Sequence, residues 1–468
     1  MKIIITSKLT LSGVPADLEG DIKRRLRFLN PKWSDNERMG RWNGDTPKHV
    51  TAFEKTRRGD LIVPRGFVRQ LLLMCRRQAL SYDLVDRRRT LAGAAFAFNG
   101  TLKPFQALAA ERMLKKEFGV LSAPTGSGKT VIALHMIARR QQPSLVVVHS
   151  RELAFQWIER IRHFLRLSED DIGLVGAGKK QVGRPITVAL IQSLYKCAAE
   201  VSPHVGYLVV DECHRTPSRT FTEAVCRFDA RYMMGLTATP WRRDRLSKLI
   251  FWYLGDVHHA VDKADLVAGG HILGAEVVIR ETAFSPYHDP VREYPKMLSE
   301  LTADDDRNRL IAADVAAEAR RGAGVCLVLS DRKKHCETLQ SLLRYRFKTD
   351  AALLTGDLSI ARRRETLEAI SAGGVRVLVA TGQLIGEGFD CRDLTTLFIA
   401  TPVRFSGRLV QYLGRVLRPA PGKKRAKVYD YVDVAVGPLA AAARARQRVY
   451  AGEGDAGGRH DGGSPSAT

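Results

Sequence analysis

The sequence predicts an α/β protein with two tandem doubly wound parallel-sheet lobes and a small basic α+β domain in front of them. Three observations support this prediction. Short runs of consecutive apolar residues alternate with helical stretches, as expected for strands buried on both faces of a parallel sheet. The alternation occurs twice along the chain. Residues 1–92 lack it and contain 20 Lys and Arg against 10 Asp and Glu.

The whole chain is strongly basic. Its 468 residues suffice for about three domains of roughly 150 residues each, and 74 Lys and Arg against 50 Asp and Glu give a net charge of +24. Such a charge predicts a polyanionic partner, with nucleic acid as the first candidate and an anionic membrane surface as the second. No apolar run approaches the ~20 residues of a membrane-spanning helix. The seven cysteines are scattered without a CxxC pair, which predicts neither a disulfide framework nor a zinc site and favours a reducing cytoplasm.

The first domain, residues 1–92, is predicted to bind nucleic acid through a basic surface. Arginine clusters recur along it with aromatic residues between them, and its first residues alternate like a strand. The stretch "LIVPRGFVRQLLLMCRRQAL" predicts a short strand followed by an amphipathic helix after Pro64. Two readings of Trp33 and Trp42 stay open: they stack on bases, or they are core aromatics of a small domain.

Two lobes of similar size follow, at residues 93–258 and 265–440. The apolar runs that predict strands in the first lobe are "GVLSA", "SLVVVHS", "ITVALI", "GYLVVDE" and "YMMGLTAT". Those of the second lobe are "GVCLVLS", "AALLTG", "VRVLVAT", "TTLFIAT" and "AKVYDYV". Residues 441–468 are predicted to be a basic helical stretch and then a Gly-rich disordered tail.

The stretch "SAPTGSGKT" (122–130) has the pattern of a phosphate-binding loop between a strand and a helix. It fits G-x-x-x-x-G-K-[ST] when Ala123 takes the first glycine position. Two glycines let the loop curl so that its amides converge on phosphates at the helix N-terminus. The lysine is predicted to reach the β- and γ-phosphates, and the threonine to hold Mg²⁺. The predicted nucleotide-binding residues here are Ala123, Pro124, Thr125, Gly126, Ser127, Gly128, Lys129 and Thr130.

A second stretch, "YLVVDECH" (207–214), delivers two carboxylates to the end of a buried strand. Ligands of α/β sheets bind at the carboxyl ends of the strands. Asp211 is therefore predicted to hold Mg²⁺, and Glu212 to orient and deprotonate the attacking water. The alternative is a pair of acids that merely end a strand.

A third stretch, "QYLGRVLRP" (411–419), has two arginines on one side of a helix. Gln411, Arg415 and Arg418 fall at i, i+4 and i+7, and an apolar stripe occupies another face. Most such patterns are solvated basic faces over an apolar stripe. The other interpretation is that this face serves the same nucleotide as the phosphate loop.

These stretches, together with "GLTATP" (235–240), resemble superfamily 2 helicases and translocases of the DEAD/DEAH-like type. The resemblance spans about residues 100–430 in the family's order and is nearest to the XPB-like and phage UvsW-like group. It implies two RecA-like lobes that close on one ATP with Mg²⁺. Gln411, Arg415 and Arg418 then supply the arginine-finger side of the site.

The resemblance also implies roles for residues outside the three stretches. Phe105 and Gln106, in "LKPFQ", match the adenine-recognition motif, and Gly388 and Asp390, in "VATGQLIGEGFD", match positions that face the nucleotide. A further set matches positions that contact the nucleic-acid backbone: Ser150, Arg151, Gln192, Ser193, Ser330 and Thr381.

The function implied by the resemblance is an ATP-dependent DNA helicase or translocase in DNA repair, recombination or defence. DNA is preferred over RNA on the group resemblance alone. A DNA-stimulated ATPase motor that does not unwind, as in a restriction, defence or strand-annealing system, stays open as the alternative. A pure binding module with an inactive ATPase is disfavoured because all the catalytic positions are filled. We expect a cytoplasmic protein that is not bound to a membrane.

Overall fold

The structure is a computed structural model, and its described part forms two compact units. The first unit contains residues 1–124 and 128–262, and the second contains residues 125–127 and the chain from residue 263 onward. The described residues are 1–215, 219–238, 246–322, 324–358, 360–382, 391, 393–403, 406–420, 423 and 425–451.

The N-terminal module is a five-stranded mixed sheet with three helices. In the first strand Ile3 and Ile5 point into the module's core, because alternate residues of a strand face opposite sides. The strands are β1 (Lys2–Ile5), β2 (Lys8–Ser12), β3 (Arg27–Leu29), β4 (His49–Thr51), β5 (Glu54–Lys55), β6 (Leu61–Pro64) and β7 (Asp83–Asp86). The sheet order is β5-β6-β2-β1-β7, and β3 and β4 form a separate pair. The helices are α1 (Ala16–Arg25), α2 (Pro31–Arg38) and α3 (Val68–Arg77).

The rest of the first unit is an α/β lobe with an eight-stranded sheet, parallel except for one short edge strand. Buried apolar clusters cover both faces of this sheet, as in a doubly wound fold. The strands are β8 (Phe118–Ser122), β9 (Ser144–Val148), β10 (Ile172–Gly176), β11 (Lys179–Lys180), β12 (Ile186–Leu190), β13 (Tyr207–Val210), β14 (Tyr232–Thr237) and β15 (Val257–Ala260). Their order is β11-β10-β12-β9-β13-β14-β8-β15. The helices are α4 (Pro104–Leu114), α5 (Lys129–Arg140), α6 (Arg151–Leu165), α7 (Ile191–Val201), α8 (Arg219–Val225) and α9 (Ser247–Leu254).

The second unit contains a six-stranded, entirely parallel sheet in the order β16-β21-β20-β17-β19-β18. Its strands are β16 (Ala275–Thr282), β17 (Val325–Ser330), β18 (Ala352–Leu354), β19 (Val377–Thr381), β20 (Leu394–Ile399) and β21 (Ala426–Asp433). Its described helices are α10 (Lys263–Ala268), α11 (Tyr294–Ala303), α12 (Asp305–Arg321), α13 (Lys333–Tyr345), α14 (Ile360–Ser371), α15 (Ser406–Val416) and α16 (Gly437–Tyr450).

The predicted fold class is confirmed, and each of the ten predicted apolar runs overlaps a strand. In the two lobes, strands β10, β11, β15 and β16 were not predicted. The boundary predicted at residue 440 falls inside α16, and Arg446 of that helix is buried against Asp430 at 2.8 Å. None of the helices in the described part of the chain combines the length and the apolarity that crossing a bilayer requires.

The N-terminal module is packed against the first lobe, and helix α9 contributes to its core. Leu249 and Trp252 of α9 lie in the same buried cluster as the module's own apolar residues. Gly66 approaches this helix so closely that an added Cβ would lie 2.4 Å from the carbonyl oxygen of Phe251. A side chain at position 66 would therefore push the two surfaces apart.

Arginines of the predicted basic surface form part of this junction. Arg65 is 2% exposed, donates to the carbonyl oxygen of Ala230 at 2.8 Å and lies over the ring of Phe118. Arg88 bonds to Glu117, which also accepts from Arg231. Arginine clusters in the N-terminal sequence therefore overstate the basic surface, because some of these guanidinium groups pair inside the molecule.

We predict that Arg65→Ala lowers the free energy of unfolding by about 3 kcal/mol, because it removes a buried charged hydrogen bond together with a packed side chain. The matched control is Arg69→Ala, which removes a mostly exposed ion pair with Asp256 across the same junction and should cost less than about 1 kcal/mol. Denaturant unfolding of both variants measures the difference. Equal effects would show that Arg65 does not hold the junction.

Candidate functional site

Five adjacent parallel strands of the first lobe bring the predicted site residues to one edge of the sheet. Their order is β12-β9-β13-β14-β8, and each carboxyl end leads into one predicted motif. Strand β8 leads into the phosphate loop, β14 ends at Thr237 and β13 precedes Asp211. Strands β9 and β12 precede Ser150 and Gln192. The predicted nucleotide residues and the predicted nucleic-acid residues are therefore neighbours along a single edge.

The phosphate loop has the backbone that its glycines allow. Gly126 and Gly128 have φ angles of +89° and +83°, in the left-handed region that favours glycine. Gly128 is also closely approached, since an added Cβ would lie 2.4 Å from the amide nitrogen of Gln106. Lys129, at the start of α5, is buried, and its ammonium donates to the carbonyl oxygen of Ala123 at 3.1 Å. The lysine thus lies against the loop that it is predicted to serve.

Asp211 is held by two hydrogen bonds at the end of β13. Its Oδ1 accepts from the backbone N–H of Glu212 at 2.9 Å, and its Oδ2 accepts from Nε1 of Trp157 at 2.8 Å. Burial raises the pKa of Asp211, the adjacent Glu212 carboxylate raises it further, and the Trp157 hydrogen bond lowers it. A buried, oriented carboxylate is the kind of hard oxygen ligand that Mg²⁺ prefers, so the donor chemistry fits this ion.

Glu212 is linked to the end of strand β14 through His214. Nδ1 of His214 lies 3.2 Å from Oε2 of Glu212 and 3.0 Å from Oγ1 of Thr237. The carbonyl oxygen of Thr237 accepts from the backbone N–H of Ala123 at 2.9 Å. Glu212 itself has a φ of +47°, which is uncommon for a residue with a side chain and is typical of functional sites. The acid pair, Thr237 and the phosphate loop therefore form one connected set of contacts.

Sequence reasoning missed Trp157. It lies on α6, 54 residues before the carboxylate that it contacts, and its indole is buried in the lobe. The sequence around it contains no spacing that predicts a partner so far along the chain. His214 lay inside the predicted acidic stretch, but its contact with Thr237 depends on the pairing of β13 with β14.

Residues predicted to contact nucleic acid differ in exposure within the first lobe. Arg151 and Gln192 are exposed, and the amide of Gln192 donates to the carbonyl oxygen of His149 at 3.4 Å. Ser150 instead caps helix α6, because its hydroxyl accepts from the N–H of Leu153 at 3.4 Å. Ser193, on α7, is half-buried.

In the N-terminal module the two tryptophans differ in their exposure to solvent. Trp42 is 89% exposed, so it is not a core aromatic. Trp33 is half-buried beneath the ammonium of Lys48, which lies 5.1 Å from the ring centre.

In the second lobe Ser330 and Thr381 end the adjacent strands β17 and β19 in register. Thr381 is half-buried, but Ser330 is 1% exposed and its hydroxyl contacts Nδ1 of His335 at 2.9 Å. The same hydroxyl accepts from the N–H of Arg332 at 3.1 Å. In this arrangement Ser330 supports the loop before helix α13 and does not face solvent. Gly388 and Asp390 lie outside the described residues.

The third predicted stretch is helical only as far as Val416, the last residue of α15, so Gln411 and Arg415 lie on the helix and Arg418 lies two residues beyond its end. Gln411 is buried, whereas Arg415 and Arg418 are half-buried. Of the apolar positions opposite them, Leu413 and Leu417 are buried as the pattern predicts, and Val410 is half-buried. Partial burial of both arginines differs from a freely solvated face. Phe105 and Gln106 lie in the first turn of α4, and Gln106 is buried.

Comparison with known proteins gives two family matches in tandem. Residues 99–242 match the family described as "Type III restriction enzyme, res subunit", and residues 307–420 match "Helicase conserved C-terminal domain". A relative from Sulfurisphaera tokodaii, named DNA 3'-5' translocase XPB2, is 27% identical over 68% of this chain and 78% of its own length.

The chain belongs to the superfamily 2 helicases.

Further relatives match parts of the chain in sequence, and one solved structure is similar to it in fold. A relative from Acanthamoeba polyphaga mimivirus, with the provisional name of an ATP-dependent RNA helicase, is 25% identical over 72% of this chain and 65% of its own length. The chain spans 56% and 51% of two further relatives. The fold is similar to that of S. cerevisiae Dbp5 bound to RNA and ADP BeF3, with a TM-score of 0.53 and 15% identity over 75% of this chain and 88% of that one.

Membership of this helicase family implies the use of ATP, typically with Mg²⁺. We predict that Trp157→Phe raises the Mg²⁺ concentration needed for half-maximal ATP turnover about 10-fold, because a carboxylate that loses its supporting hydrogen bond is less well oriented. Titration of Mg²⁺ at saturating ATP measures this change. The matched control is Trp252→Phe, which alters another buried indole of the same unit far along the chain from Asp211. An unchanged Mg²⁺ requirement in Trp157→Phe would contradict the role given to the indole.

Proposed function

We propose that this helicase couples the hydrolysis of Mg-ATP to movement on DNA, or to remodelling of it. The observation that carries the proposal is the shared edge of β12, β9, β13, β14 and β8. Residues suited to phosphoryl transfer and residues suited to a nucleic-acid backbone follow neighbouring strands there. A change at the nucleotide can therefore reach the nucleic-acid side through a short path of strand ends.

The proposed chemistry assigns one task to each group. Lys129 binds the β- and γ-phosphates, and Glu212 orients the attacking water and accepts its proton. Thr130 and Asp211 would hold Mg²⁺, which when bound neutralises the charge of the phosphate oxygens. Arg415, with Arg418 and Gln411, stabilises the charge that develops on the γ-phosphate, a contribution of roughly 10³–10⁵ in rate for an arginine finger.

DNA is the proposed substrate. The S. tokodaii relative is named a DNA translocase, and the mimivirus relative carries an RNA helicase name, so the preference for DNA is a proposal. The exposed candidates in the first lobe, Arg151 and Gln192, suit contacts with the backbone. Such contacts position a strand without reading its sequence, so we expect sequence-tolerant binding that weakens steeply with salt. Repair, recombination and defence are the processes that such a motor would serve.

A second candidate is a DNA-stimulated ATPase motor that does not separate strands. The match to a restriction-enzyme subunit over residues 99–242 favours it. The two candidates differ in one assay: displacement of a labelled strand from forked, flush and branched duplexes, run beside ATP turnover with DNA, with RNA and with neither. Stimulation with displacement supports the helicase, and stimulation without displacement supports the motor. Turnover that neither nucleic acid stimulates would exclude both.

We predict that Glu212→Gln keeps ATP binding and abolishes turnover, because the amide retains the shape of the side chain but cannot accept the proton of water. Equilibrium binding of a fluorescent ATP analogue and steady-state hydrolysis measure the two effects. Lys129→Ala is the contrasting variant, since it should lose binding as well. Substantial hydrolysis by Glu212→Gln would refute the assignment of the base.

We predict that Arg415→Ala leaves ATP binding largely intact and lowers kcat about 10³-fold, because an arginine finger acts mainly on the transition state. Arg408→Ala, which removes an exposed arginine from the same helix, is the matched control and should leave kcat unchanged. If Arg415→Ala abolished binding without changing kcat, the finger assignment would be wrong.

A further inference from the structure

Lys423 lies at the end of helix α15, which carries Arg415 and is followed by Arg418. Its ammonium donates to three backbone carbonyl oxygens, those of Leu394, Val416 and Arg418, the last at 3.0 Å. Val416 is the final residue of α15, and Arg418 follows it by two residues. Leu394 is the first residue of β20. One side chain therefore ties the helix end to the base of a central strand of the same lobe.

Three successive backbone carbonyl groups at this helix end each accept a hydrogen bond. The last carbonyls of an α-helix have no partner within the helix, and a positive charge near them is favourable. The carbonyl of Leu417, which lies between the two bonded to Lys423, accepts from the N–H of Leu273 at 2.8 Å. The backbone around Arg418 is consequently held at three successive carbonyls, two of them by one ammonium group.

The ammonium has as many N–H groups as there are carbonyls to satisfy. A charged lysine has three donors, whereas the neutral amine has only two. Burial lowers the pKa of Lys423 to about 8. Among the described residues around it, Cys391 and Asp393 raise this pKa and Arg418 lowers it. A half-buried ammonium in this position is costly to keep charged, and a leucine or methionine would fill the space without that cost.

We propose that Lys423 is a positioning residue for Arg418: it fixes the backbone from which the guanidinium reaches toward the γ-phosphate. The proposal rests on the function proposed above for Arg418. Lys423 itself touches neither substrate nor reacting atoms in this scheme. Since misplacement of a catalytic group by about 1 Å can cost up to about 100-fold in rate, a loosened helix end should be visible in kcat.

The pH dependence follows from the donor count. In the folded protein the pKa of Lys423 is lower than that of a free lysine, so the charged form is complete well below pH 8 and disappears as the pH rises through about 8. Deprotonation leaves one of the three carbonyls without a donor. We therefore expect the DNA-stimulated kcat to fall on the alkaline side with a midpoint near pH 8, while ATP binding changes little.

The experiment compares wild type, Lys423→Met and Lys423→Arg in DNA-stimulated ATP hydrolysis between pH 6.5 and 9.5, a window on either side of that pKa. At pH 7, Lys423→Met should lower kcat about 10-fold with the KM for ATP within about twofold, because the change acts through placement of Arg418. Lys423→Arg keeps a cation at all these pH values, so it should recover part of the kcat and lose the alkaline decline. Lys427→Met, which removes a lysine paired with Glu318 in the same lobe, is the control and should behave as wild type.

Arg418→Ala, measured in parallel, separates a failure of the role proposed for Arg418 from a failure of the role proposed for Lys423. If Arg418→Ala leaves kcat unchanged, the role proposed for Arg418 fails. If Arg418→Ala lowers kcat but folded Lys423→Met keeps it, the positioning role of Lys423 fails. A Lys423→Met protein with a lower Tm and equal losses in binding and turnover would show a merely structural role. Should Lys423→Met not fold, an alkaline decline that persists in Lys423→Arg would overturn the proposal.

Discussion

The parallel pairing of β12, β9, β13, β14 and β8 is the constraint on which the rest of the first lobe depends. Parallel strands end at the same edge, and here five successive ends carry the phosphate loop, the acid pair, Thr237 and the two predicted backbone-contacting segments. Reversal of any one strand would move its motif to the opposite edge, more than ten ångströms away for a five-residue strand at about 3.3 Å per residue. Parallel strands are connected by crossover helices, and these helices cover both faces of the sheet. Strands that are apolar on both faces are therefore suited to a parallel sheet and not to one with a solvated face.

Polar contacts then connect the strand ends with one another. Trp157 orients Asp211, His214 contacts both Glu212 and Thr237, and the carbonyl of Thr237 accepts from the phosphate loop. Apart from the local contact between His214 and Glu212, each contact joins residues from different elements of the first lobe, so the arrangement depends on an intact sheet. A buried network of this kind favours one arrangement, because each polar group that lost its partner would carry a desolvation cost.

The sequence was sufficient for features that depend on neighbouring residues, and insufficient for those that depend on distant ones. Consecutive apolar residues identified ten strands, and local glycines identified a loop whose left-handed φ angles only glycine adopts easily. The contacts of Trp157 and Lys423 could not be predicted from the sequence, because only the fold brings their partners near them. Ser330 matches a motif position in the sequence, but its hydroxyl contacts the ring of His335. Burial lowers the pKa of His335 to about 3, so the ring is neutral and can accept a hydrogen bond from the serine O–H. Strand β10 is the run IGLVG, in which two of the five residues are glycines, which weaken a strand pattern. Strand β15 is the mixed segment VHHA and lacks the apolar pattern of the other strands.

The sequence alone does not show how much of the positive charge of residues 1–92 lies on the surface of the folded protein. The excess of arginine in residues 1–92 predicts a surface for a polyanion. Arg65, Arg88 and Arg89 instead donate to groups of the first lobe, and two of their partners, Glu117 and Asp229, are acids that the N-terminal count leaves out. The prediction of a surface for a polyanion therefore rests on the arginines that stay exposed, among them Arg57, Arg58, Arg76 and Arg77. Because the module shares a core with α9, it belongs to the same compact unit as the first lobe, and its exposed arginines keep a fixed position relative to the phosphate loop's strand β8 only while that shared core is intact.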